Sequence, residues 1–232
     1  MSSIPLNTYY QQNVGFVTNS LGFVTLFHLL DNYYVDVELE ATKEYGSRKH
    51  MCFTEIIVDK NSFNENYLAH EMLHAILYKN DFISTVELGQ NFTCGTRSEN
   101  VLNDIIGEVF LNALAHHKFY KLFCALNFNK LEFVGDYQDQ HISDDIIKVL
   151  KANFSLKNIY YVNLFFYCYS ILRTNHNPKF VTDYSNFIVD LKNICPDLCN
   201  LLDNLFNDWK NAQLINFSGI ITTFIHDLNL IL

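Results

Sequence analysis

The chain has 232 residues, 49% of them hydrophobic and 15% aromatic, and a formal net charge of −9. That composition excludes a disordered chain, and the length suffices to bury a substantial core. Its 16 Lys and Arg are scattered, so the basic surface that nucleic acid requires is missing, and with three prolines and eight glycines the chain is too poor in turn residues for an all-β fold.

Residues 1–18 are polar, rich in Asn and Gln, and read as an irregular lead-in around Pro5. Leu21, Val24, Leu26, Phe27 and Leu30 predict a helix from Asn19 to Asp31. Tyr34–Glu40 alternates apolar and acidic residues, the period of a half-buried strand. A polar loop around Gly46 follows. Met51–Asp59, apolar and β-branched between polar turns, predicts a second strand. Ser62 and Glu65 have the spacing of a capping box, so a helix is expected from there to about Lys79. After a connection over 80–96, the pairs Val101/Leu102, Ile105/Ile106, Val109/Phe110 and Ala113/Leu114 form an apolar stripe, predicting a helix from Ser98 to Phe119. A loop centred on Gly135 and Asp136 ends near His141. Beyond it, helices are expected over 143–154, 158–173, 179–194, 198–211 and 218–231, punctuated by Pro178 and Pro196.

The first twenty residues lack a basic start and a continuous apolar run, so no signal peptide is expected. The most apolar stretch, Ile159–Leu172, contains Asn163 and is too short to span a bilayer, so no membrane partner is expected. The six cysteines are scattered and lack zinc-finger spacing. Cys124 and Cys168 lie in apolar runs and read as buried small hydrophobes. These features together suggest a cytoplasmic protein with reduced thiols.

The chemistry is concentrated at His70-Glu71-Met72-Leu73-His74, inside the helix that follows the second strand. Histidines four apart on a helix project from one face, one turn above the other. Both imidazoles can then bind one metal ion, with the intervening glutamate beside the open coordination position. This is the H-E-x-x-H arrangement of two zinc ligands and a general base. Hydrolytic zinc usually takes a third protein ligand. Ala75–Asp81 supplies neither the Gly nor the His of the extended H-E-x-x-H-x-x-G-x-x-H motif, so the third ligand must come from elsewhere.

With H-E-x-x-H on one helix and acidic residues on the next, residues 33–119 resemble the gluzincin branch of the zincin metallopeptidases. The resemblance implies an α+β fold: a minimal zincin core with a small mixed sheet over residues 1–125, and a mostly helical C-terminal subdomain over 126–232. It implies Zn²⁺ held by His70, His74 and a carboxylate of the next helix. Glu108, at the rim of the apolar stripe, is the first choice, while Asp104 and Glu99 stay open. The family's acid four positions after its glutamate is Asn112 here.

The activity implied is zinc-dependent hydrolysis of a protein or peptide substrate. The metal would polarise the scissile carbonyl, and Glu71 would move the water proton to the leaving amine. A Tyr or His usually stabilises the oxyanion; His141 is the first choice, with His116 and His117 as alternatives. The strand before the active helix, about Phe53–Val58, would pair with an extended peptide. The alternative is a catalytically latent zincin, a metal-stabilised protein-binding or regulatory module, against which the intact Glu71 argues.

Overall fold

The computed structural model describes residues 3–30, 35–40, 45–50, 52–92, 95–102, 104–133, 142–174, 181–213 and 216–232. The fold is α+β. Among the described residues, four strands make one sheet: β1 (Ser3–Pro5), β2 (Val35–Glu40), β3 (Gly46–Lys49) and β4 (Thr54–Asp59), in the order β1-β2-β4-β3. β2 runs parallel to β4 from Val35↔Thr54 to Glu40↔Asp59, and β3 lies antiparallel to β4 from Gly46↔Ile57 to Lys49↔Thr54. Ile56, Ile57 and Val58 are all buried, as an interior strand covered on both faces requires.

Two expectations change here. β4 has a neighbour on each side, so Phe53–Val58 does not offer an open edge to an extended peptide. The strand that closes it, Gly46-Ser47-Arg48-Lys49, is short, polar and without alternation, which is why its sequence reads as loop. The lead-in is also ordered: β1 pairs antiparallel with β2, and α1 (Leu6–Asn13) and a 3-10 turn (Val14–Phe16) follow. Leu6 and Tyr9, one turn apart, are the buried positions that hold α1. Pro5 is tolerated because β1 is an edge strand.

α2 (Ser20–Leu29) is capped by Asn19, whose side chain accepts from the Gly22 amide at 3.1 Å. α3 (Glu65–Lys79) carries the H-E-x-x-H motif. Its cap is Asn64, not Ser62: the Asn64 side chain accepts from the amides of Asn66 at 2.9 Å and Tyr67 at 3.1 Å. Glu65 turns outward instead, accepting from the Thr18 amide at 2.7 Å and from the Thr18 hydroxyl. Every residue from Leu68 to Leu77 is buried, so α3 is a core helix rather than a surface one. Burial of Leu68, Met72, Leu73, Ile76 and Leu77 stabilises it by about 1.5–3 kcal/mol each.

The connection after α3 contains α4 (Thr85–Gln90), opened by a capping box between Ser84 and Glu87. The single helix expected over 98–119 is two: α5 (Arg97–Val101) and α6 (Asp104–Ala125). The break brings the Leu102 carbonyl against Gly107, where an added Cβ would lie 3.3 Å from that oxygen. The remaining helices fall close to their expected places: α7 (Asp144–Asn153), α8 (Ile159–Thr174), α9 (Val181–Ile194), α10 (Pro196–Asn211) and α11 (Phe217–Ile231).

The chain divides into two compact units that interleave in sequence. One comprises Met1–Phe82 and Phe119–Gly135, and holds the sheet, α1 to α3 and the last turns of α6. The other comprises Ile83–Lys118 and Asp136–Leu232, and is helical. Its core includes Phe110, Phe166, Phe206, Phe224 and Trp209; the Trp209 indole donates to the Leu114 carbonyl at 3.0 Å. Among the described residues, no helix is long and apolar enough to cross a membrane.

Candidate metal centre

Three polar side chains sit in the middle of the buried helix α3. His70, Glu71 and His74 are 6%, 5% and 7% exposed. Ionisable groups held that deep are paired, bound or neutralised. The helical spacing sets His70 and His74 side by side, with their Nε2 atoms 3.2 Å apart. Two nitrogens bound to one tetrahedral zinc at 2.0–2.1 Å stand about 3.3 Å from each other. The Glu71 carboxylate lies beside them, its Oε1 3.9 Å from His70 Nε2.

A third imidazole completes the group. His116 on α6, 1% exposed, offers a ring nitrogen, and the donor atoms of His70, His74 and His116 all lie within 4.8 Å of one another. Three buried histidines thus form a group that can hold a metal ion. His116 stands one turn before Phe119 on the same continuous helix. The Phe119 ring lies edge-on to both other imidazoles, with centroids 5.4 Å from His70 and 4.9 Å from His74. Phe133 packs against His70 as well, at 5.0 Å, and against Phe119 at 5.6 Å.

Burial also sets the protonation state. Desolvation lowers the His70 pKa to about 4, against a smaller opposing effect from a hydrogen bond with the Phe133 backbone. His74 is lowered well below its usual value, first by desolvation and then by the proximity of His70. Both rings are therefore neutral at pH 7, the form with a lone pair for a metal. The backbone bond at Phe133 helps to fix the orientation of the His70 ring.

Among the described residues, neither Glu108 nor Glu99 belongs to this group. Glu108 is exposed, and on α6 it precedes His116 by eight residues, about 12 Å of helix. It is not a member of the three-histidine group. The side chain of Asp104 lies outside the described residues. Glu99 accepts from the Gly95 amide at 2.6 Å, holding the turn before α5. His117 points to the other side of α6, its ring 5.1 Å from Phe206. His141 lies outside the described residues.

The sequence offers His116 for the oxyanion and not for the metal. The signal for a ligand was present: His116 continues the stripe of Val109 and Ala113, a polar residue where the pattern calls for an apolar one. Comparison of the chain with protein-family models, with curated proteins and with solved structures gave no match.

Proposed function

We propose that the chain is a zinc-dependent metallopeptidase of zincin type, with His70, His74 and His116 as metal ligands and Glu71 as general base. One observation carries the reading: two Nε2 atoms at 3.2 Å, a third histidine nitrogen within 4.8 Å, and a buried carboxylate beside them. A zinc ion held by three neutral imidazoles supplies Lewis acidity, polarising a scissile carbonyl and lowering the pKa of water to about 7. Glu71 takes the water proton and delivers it to the leaving amine, a transfer its position within one water of His70 Nε2 allows. Phe119 and Phe133 pack against the imidazoles and keep bulk water from them. In this reading the substrate is a protein or peptide and the setting is the cytoplasm.

The alternative, a metal-stabilised binding or regulatory module, also has an observation in its favour. The four polar groups are between 1% and 7% exposed, which is closed for a working active site. Incubating the zinc-loaded chain with a mixed peptide library separates the two. The expected result is cleavage that a chelator abolishes and added zinc restores. Tight zinc binding without cleavage of any peptide favours the module, and failure to bind zinc removes both readings.

A further inference from the structure

The segment from Asn129 to Phe133 is attached to α3 in two different ways. At its end, Phe133 is 1% exposed, and its ring meets His70 at 5.0 Å, Phe119 at 5.6 Å, Tyr120 at 4.7 Å and Phe123 at 5.0 Å. The rest of the segment is held by polar bonds near solvent. Glu132 Oε2 accepts from the side-chain amides of Asn64 at 3.1 Å and Asn66 at 3.0 Å, while Oε1 accepts from Asn129 Nδ2 at 2.9 Å. The Asn129 amide donates to Asn66 Oδ1 at 2.8 Å, and the Leu131 amide to Asn129 Oδ1 at 3.1 Å. Asn64 and Asn66 are the cap and first turn of α3, the helix that carries the histidines. One carboxylate thus gathers three amide donors at the end of α3, and an aromatic ring from the next residue covers the site.

We propose that residues 129–133 are a strap that seals the histidine site, with Phe133 as its plug and the Glu132 carboxylate as its latch, and that substrate enters only when the latch opens. The proposal deepens the metallopeptidase reading and rests on it for the meaning of entry. A latch made of partly exposed hydrogen bonds opens far more readily than a packed core, because water replaces each bond as it breaks. Opening it need not unfold α3, which Leu68, Met72, Leu73 and Ile76 hold on their own account. The same strap accounts for a complete catalytic set found in a closed state.

The test is access to the imidazoles, read on the metal-free chain so that it does not depend on zinc. Diethyl pyrocarbonate modifies exposed histidines, and mass spectrometry resolves the rate at each one. His28 and His226 are exposed and serve as internal standards. In the wild type, His70 and His74 are expected to react at least about tenfold more slowly than these standards. Glu132→Ala and Asn66→Ala are expected to speed both by about tenfold or more, with unchanged circular dichroism, whereas the neighbouring Lys130→Ala leaves them as they are. Loss of zinc from the loaded chain to a chelator should accelerate in the same order. Wild-type rates in both latch variants overturn the strap, and so does equal acceleration in all three variants. A wild type that binds no zinc but shows the latch-dependent access refutes the metallopeptidase reading and keeps the strap.

Discussion

Glu71→Gln is expected to lower kcat for peptide cleavage by about 10²–10⁴ while leaving the bound metal in place. Gln matches Glu in shape, so α3 and its packing are undisturbed. It has no carboxylate to take the proton from water or return it to the leaving amine. The position supports this role: Glu71 Oε1 is 3.9 Å from His70 Nε2, too far to share its lone pair with the ring directly and close enough to act across one water. Parallel measurement of kcat and metal content reads two things at once. Unchanged kcat removes Glu71 as base. Loss of metal makes it a fourth ligand, giving a closed structural site of the kind that suits the binding-module reading.

The metal-free chain is expected to lose stability as pH falls from about 6.5 towards 4. In the fold, His70 titrates near 4, whereas an unfolded chain's histidine titrates near its ordinary 6.5. Between those values the unfolded state binds the proton and the folded state does not, so acid favours unfolding. The stability is fully present above about 6.5 and declines by roughly 1.4 kcal/mol per pH unit for this one group, or about 3 kcal/mol over the window. His74 acts in the same direction. Urea midpoints at pH 7.5, 6 and 5 check this, with His70→Gln as the comparison. A flat wild-type profile across that range contradicts the burial argument. Bound zinc should steepen the dependence, because protons then compete with the metal for the same nitrogens.

Legibility in the sequence followed the range of the interactions involved. H-E-x-x-H was readable because its geometry is local: His70, Glu71 and His74 need only a helix to converge. α10 and α11 were readable because their apolar periodicity survives in the chain. β3 was not, since Gly46–Lys49 becomes a strand only through pairing with β4. The cap of α3 was misplaced by two residues because Ser62 and Asn64 are both good caps. Which of them serves depends on the Tyr45 hydroxyl, which donates to the Ser62 carbonyl and accepts from the Asn64 amide.

The third donor is the instructive case. Whether α6 presents Glu108 or His116 to α3 depends on how the two helices align along their length, a tertiary quantity that periodicity does not contain. The resemblance to gluzincins and the place of Glu108 at the rim of the stripe both direct attention to the carboxylate, while His116, on the stripe itself, is offered only for the oxyanion.

Elemental mass spectrometry on purified wild type, His116→Ala and Glu108→Ala tests the central claim most directly. The three-histidine centre predicts about one zinc per chain in the wild type, the same in Glu108→Ala, and loss in His116→Ala. Zinc retained in His116→Ala and lost in Glu108→Ala would contradict it and return the third ligand to the carboxylate.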